Sequence, residues 1–183
     1  MKRSFYLAAR GMGLLALASL AACTRYEIAV REPVAPAPPA PQTARVCVLR
    51  PQRVAALAPA VVRDNGQLVG MTRGRSRFCY LVQPGDHQIA STYGDDIDAR
   101  LGLTRVTDAT LSAVSGETYF LQHDVGKLLT LEVRWVTPEA AGPMLTDTPE
   151  VELVTAPDGE PLPRPSEVIP ARPAAPQVGT PGG

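Results

Sequence analysis

The sequence predicts a mainly β protein: a small antiparallel β-sandwich with one short C-terminal helix, flanked by disordered Pro-rich segments. Three observations predict it. In "LLTLEVRWV", residues 128–136, Leu129, Leu131, Val133 and Trp135 alternate with Thr130, Glu132 and Arg134, the period of two of a half-buried strand. Turn signals at Asn65-Gly66, Pro84-Gly85 and Ser115-Gly116 lie between short apolar runs, the pattern of a sandwich or small barrel. The prolines are segregated: 14 of 19 fall in residues 24–43 and 146–183. That leaves residues 44–145, a stretch of about 100 residues, as one domain of common size.

Each element has its own signal. "ARVCVLR", residues 44–50, opens the domain as a strand. "VVRDNGQLVG" is a hairpin, because Asn65-Gly66 tolerates the positive φ angles of a type I′ turn. "RFCYLVQPGDHQIASTY" gives two strands joined at Pro84-Gly85. "TRVTDATLSAVSGETYFLQHDVGK" gives two more, turning at Ser115-Gly116, and the strand at 128–136 follows. Only "TPEAAGPML", residues 137–145, reads as helix, with Thr137 as N-cap, Pro138 at the first position and Glu139 in the first turn. "VELVT", residues 151–155, is a candidate edge strand in an otherwise acidic, Pro-rich tail.

Outside the domain, residues 1–22 read as a signal peptide: Lys2, Arg3 and Arg10 precede or flank a short apolar run, Gly11 to Leu20, too short to span a bilayer. "LAAC", Leu20 to Cys23, resembles the lipobox of bacterial lipoproteins. That resemblance implies cleavage before Cys23, a diacylglyceryl group on its sulfur and a further fatty acyl chain (a palmitate, for example) on its amine. Two or more acyl chains hold a protein stably on a membrane, where one does not. Thr24 after the Cys, in place of Asp, points to the outer membrane of a bacterial cell envelope, facing the periplasm. Residues 23–43 then form the lipid anchor and a Pro/Ala-rich tether. In polyproline II form its 20 or so residues reach about 60 Å. Residues 146–183 hold six acids, two arginines and nine prolines, and read as a disordered acidic tail.

The order "RDNGQLVGMT", "RFCYLVQPGDHQI", "SGETYFL", "TPEAAGPML" resembles a domain-of-unknown-function family of prokaryotic lipoproteins, related in pattern to PEGA-type and carboxypeptidase-regulatory-type β-sandwiches. The likeness covers residues 44–145 and rests on turn and core positions: Asn65, Gly66, Val69, Gly70, Pro84, Gly85, His87, Gly116, Tyr119, Phe120, Glu139 and Ala140. It implies a fold and an envelope location, and carries no reaction. The first strand departs from it, because "VCVLR" stands where an aromatic-rich strand is usual.

Candidate sites follow from residue type and spacing. With Cys23 lipidated, Cys47 and Cys79 are an even pair in an oxidising compartment. Cys47 shares a strand face with Arg45 and Cys79 with Arg77, so a cross-strand or cross-sheet disulfide needs neither strand turned over. Arg73, Arg75 and Arg77 recur at period two; in an extended strand they point one way and form a candidate anion-binding stripe for lipid A or a similar polyanion. His87 and His123, with Asp86 and Asp124, are the residues from which a metal or catalytic site would be built. They lack metal-ligand spacing, and the expectation is no metal and no cofactor. Asp95, Asp96 and Asp98 supply only part of a calcium loop. No nucleophile elbow, Ser-x-x-Lys or free Cys-His pair is present in the sequence.

Charge excludes little: 18 basic and 18 acidic residues balance, and removal of the signal leaves 15 against 18. Nothing there favours nucleic acid. The sequence therefore predicts a membrane-anchored envelope lipoprotein, not an enzyme, whose β-sandwich binds another envelope protein or a cell-wall component. The alternatives are polyanion binding through Arg73, Arg75 and Arg77, and a periplasmic enzyme using His87 and His123.

Overall fold

The computed structural model describes residues 25–32, 39–54, 58–93, 106–127 and 130–173. The signal segment, Cys23, Leu128, Leu129 and the aspartates at 95, 96 and 98 lie outside the described residues. The elements are β1 (Glu27–Val30), β2 (Ala44–Arg50), β3 (Ala60–Asp64), β4 (Gln67–Thr72), β5 (Ser76–Val82), β6 (Gly85–Tyr93), β7 (Thr107–Ala113), β8 (Thr118–Val125), β9 (Leu131–Val136), α1 (Pro138–Asp147), β10 (Val151–Thr155) and β11 (Val168–Ile169).

Two sheets face each other. One runs β11-β5-β2-β8-β9, the other β4-β3-β6-β7, and a separate ribbon pairs β1 with β10. The alternation expected of the sequence is what joins them. Val46, Val48, Phe78, Tyr80, Val82 and Leu121 from the first sheet meet Val62, Val69 and Ile89 from the second in one apolar core. Burying such side chains stabilises by about 1.5–3 kcal/mol each. The predicted β-sandwich with one short helix is therefore the observed fold, with two parallel pairings, β2 with β8 and β11 with β5, inside the otherwise antiparallel first sheet.

The hairpin forms where predicted. Asn65 has φ 49° and Gly66 φ 85°, the left-handed pair that a type I′ turn needs. The other two turns join strands that are not hairpin partners: β5 and β6 lie in different sheets, as do β7 and β8, so the chain crosses the sandwich at Pro84-Gly85 and at Gly116. Gly70 on β4 has a packing reason: a Cβ there would stand 2.5 Å from the Phe78 ring, which lies against its backbone.

Helix α1 begins as its sequence indicates, with the Thr137 hydroxyl accepting from the Ala140 amide at 3.4 Å and Pro138 at the first position. It ends two residues later than expected, at Asp147. Its Ala141, Met144 and Leu145 cover Cys47, Leu49, Phe120 and Val136 on the outer face of the first sheet.

Both flanks depart from expectation. Residues 146–173 are not a free tail. Val151, Leu153 and Ile169 are each less than a tenth exposed and belong to apolar clusters of the body. The Pro-rich run between Leu153 and Ile169 passes through a 3-10 helix at Pro157–Gly159 and a turn at 165–166, and the chain beyond it offers carbonyls to the sheet edges: Ile169 to the Gln83 amide at 2.9 Å, and Pro170 to the Asn65 side chain at 3.0 Å. Proline lacks a donor but keeps its acceptor, so a Pro-rich strand suits an edge. Likewise residues 27–30, placed in the tether by composition, are strand β1, locked to β10 over Met71, Leu68 and Val61. The opposite side of the sandwich closes through side chains: Trp135 Nε1 donates to Thr110 O at 3.0 Å and Thr107 Oγ1 to Leu131 O at 2.8 Å.

Candidate functional site

The polar groups able to do chemistry gather in two interior clusters. Strand β3 points Asp64 inward because it shares parity with Val62; β5 does the same for Tyr80 and β6 for His87. His87 Nδ1 lies 3.0 Å from both Asp64 oxygens, and its Nε2 lies 2.9 Å from Gln83 O. Tyr80 donates its hydroxyl to Asp64 at 3.2 Å. The side chains of His87 and Asp64 are 0 % exposed. Burial opposes a charge on His87, but the hydrogen bonds to the Asp64 carboxylate and the Gln83 carbonyl outweigh it and raise its pKa. Both ring nitrogens face acceptors, so the doubly protonated imidazolium is the form that satisfies both. Burial and Asp64 together push the Tyr80 hydroxyl well above its usual range.

The second cluster surrounds His123 on β8. Thr72 Oγ1 lies 3.0 Å from its Nδ1 and Ser91 Oγ 3.0 Å from its Nε2. His123 is 0 % exposed, and burial with the nearby Arg50 charge lowers its pKa to about 3, so it is neutral. Arg50, also fully buried, donates to Ala58 O at 2.8 Å and Val54 O at 3.3 Å.

The predicted partners of these histidines lie elsewhere. Asp86 accepts from Ser112 at 2.7 Å; Asp124 accepts from Gln122 at 2.7 Å and pairs with Arg134 at 3.1 Å. Ser91, which touches His123, is four residues along β6 from His87, about 13 Å at the rise of a strand. The structure therefore does not assemble His87, His123, Asp86 and Asp124 into one site, and among the described residues no three His, Cys, Asp or Glu are grouped to hold a metal.

The arginine stripe is also divided. Strand β5 starts only at Ser76; Arg73 and Gly74 form a turn, with Gly74 at φ 56° and the Arg73 amide on Ser76 Oγ at 2.9 Å. Arg77 donates to the carbonyls of Leu145 and Thr148 and faces Glu150 at 3.6 Å, while Arg75 donates to Asp147 O. Two of the three guanidinium groups thus clasp the C-terminal end of α1, where carbonyls lack intrahelical partners and the helix dipole is negative. Arg73 alone is exposed. The expected row of three parallel cations is not formed, because a glycine turn replaces the strand that would have aligned them.

Cys47 and Cys79 are disulfide-bonded and stand directly opposite each other on β2 and β5, with Cα atoms 4.1 Å apart. Of the two arrangements the sequence allowed, the bridge is cross-strand within one sheet, under α1.

Open space is limited at these clusters. A cleft of about 80 Å³ runs between the edges of β4 and β5, bounded by Gly70, Phe78, Tyr80, Arg164 and Ile169. A shallower hollow of about 410 Å³ lies beside Arg53, Arg75 and Asp147, where acid and base are mixed.

Sequence reasoning passed over Asp64, Tyr80 and Arg50. Parity was the available signal: Asp64 follows Val62, and Arg50 follows Val46 and Val48, on inward-facing positions. No protein-family model, no curated protein and no solved structure matches the chain.

Proposed function

We propose that this is a lipid-anchored bacterial envelope protein, acylated at Cys23, whose β-sandwich acts by binding another envelope component and not by catalysis. The observation that carries the binding half is the commitment of its reactive side chains. Both histidines bond within the interior through both ring nitrogens, and Arg75 and Arg77 are spent on a helix end. These groups hold the fold, which leaves the surface and edges for contact. The anchor half rests on the charge, length and "LAAC" ending of the leader. The resemblance to the lipoprotein domain family belongs to the same proposal, as does an outer-membrane position facing the periplasm.

The test is crosslinking and co-purification from membranes, with Cys23→Ala as control. A partner captured by the wild type and lost on Cys23→Ala supports the reading. Globomycin, which blocks lipoprotein signal cleavage, should leave an uncleaved precursor; unchanged processing under the drug would refute the anchor. A phenotype lost with His87→Asn or His123→Gln in a folded protein would favour an enzyme instead.

A further inference from the structure

The first ordered strand begins very close to the proposed lipid site. Tyr26 is three residues beyond Cys23 and is pinned to the body by its side chain. Its hydroxyl donates to Glu160 at 2.8 Å and accepts from Arg63 at 3.0 Å, and Arg63 pairs with Glu160 at 2.7 Å. Strand β1 follows at once and is held to β10 by four register pairs, with Arg31 ion-paired to Glu152. Three residues reach at most about 11 Å. The Pro/Ala run at 33–41 comes after β1 and so connects β1 to β2; it adds nothing to the reach of the anchor.

We infer that the corner formed by Tyr26, Arg63 and Glu160, with the adjoining β1–β10 ribbon, is the membrane-facing surface of the mature domain. The inference rests on acylation of Cys23. A domain of about 150 residues is roughly 40 Å across, so every part of it lies within about 50 Å of the lipid headgroups. Any partner must therefore meet the domain within that distance of the membrane surface. The short tether imposes the contact whatever the charge: on this face Arg31 and Arg63 are already paired with Glu152 and Glu160, and exposed Arg25 lies within the tether itself. Exposed Glu27 is next to the anchor, and exposed Val30 and Val154 also lie on the ribbon. Exposed Lys127 lies between β8 and β9, at the far edge of the first sheet, with β2 standing between that strand pair and β5, the strand of this sheet that touches β10.

The experiment uses the full acylated chain in phosphatidylcholine–phosphatidylglycerol vesicles containing a nitroxide-headgroup lipid. A fluorescent amino acid is placed at Glu27 in one preparation and at Lys127 in another, and mass spectrometry of the N-terminal peptide reports acylation. Quenching several-fold stronger at 27 than at 127, unchanged in 0.5 M NaCl, is the expected result. Inserting 20 Gly/Ser residues between Thr24 and Arg25, which adds about 25 Å of mean reach, should bring quenching at 27 down toward that at 127. Equal quenching at both positions in acylated protein overturns the inference and leaves the lipoprotein reading standing. Loss of the contrast in salt also overturns it, because the contact would then be electrostatic. An unmodified N-terminal peptide overturns the lipoprotein reading, and the inference falls with it.

Discussion

At one end of the sandwich His87 lies between a carboxylate and a carbonyl; at the other, His123 lies between two hydroxyls and near Arg50. Both are buried in the same interior, on strands of the same fold, yet the pKa of one is raised and that of the other is lowered to about 3. Acceptors on both nitrogens favour imidazolium, while a hydroxyl can accept from one nitrogen and donate to the other. The difference shows that burial alone does not set a histidine's state here; the chemistry of its two contacts does. It also explains why neither serves as an exposed base: each proton is part of how the interior is satisfied.

The sharpest way to break the comparison is to remove the carboxylate. Asp64→Ala removes the group that favours a proton on His87 and leaves the ring without its partner in a closed interior, and breaking a buried pair costs about 3–5 kcal/mol. The pH dependence should change with it. A raised folded pKa means that His87 contributes stability which is complete below its unfolded value of about 6.5 and is lost as pH rises through the folded value. Urea unfolding at pH 6 and pH 8 should show that alkaline loss in the wild type and not in Asp64→Ala. A variant less than about 1 kcal/mol weaker, with the alkaline loss intact, would mean that the pair is not ionised.

A control lies outside both clusters. The disulfide Cys47–Cys79 closes a separation of 32 residues on the outer face of the first sheet. Replacing both cysteines with Ala should lower stability by about 3–4 kcal/mol in the chain-entropy model. The loss should be equal at pH 6 and pH 8. A loss that varies with pH would tie the bridge to the titrating interior and blur the contrast.

The neutral end predicts the opposite slope. His123 has its folded pKa near 3 against about 6.5 unfolded, so its contribution is present above 6.5 and falls away in acid. Between pH 6.5 and 4.5 the loss is about 2 kcal/mol. His123→Gln, which can still bond two hydroxyls, should flatten that limb in urea melts taken across the window. An acid limb of unchanged depth would show that His123 protonates in place.

Much of this frame is readable in the sequence. Alternation at Val46/Val48 and Phe78/Tyr80 places the core, Asn65-Gly66 the hairpin, Thr137-Pro138 the helix start, and the parity of Cys47 and Cys79 the bridge. What was hidden depends on contacts far apart in the chain. Tyr26 finds Glu160 across 134 residues, and β1 finds β10 across a Pro-rich segment that composition assigns to a tether. Asp64, next to Asn65-Gly66, reads as a turn residue, although its parity with Val62 aims it inward. The arginine stripe failed for a local reason: Gly74 adopts a left-handed turn, and only Arg77 stays on the strand.

The smallest effect discriminates between the ends most directly. Tyr80→Phe removes a hydroxyl that donates to Asp64 at 3.2 Å, and Ser91→Ala removes one that contacts neutral His123 at 3.0 Å. Hydrogen bonds to charged groups contribute about 1.5–3 kcal/mol and neutral ones about 1. Tyr80→Phe should therefore cost about twice what Ser91→Ala does at pH 6, even though its bond is the longer. Equal costs for the two variants would mean that Asp64 carries no charge, and the two ends would then differ in shape only.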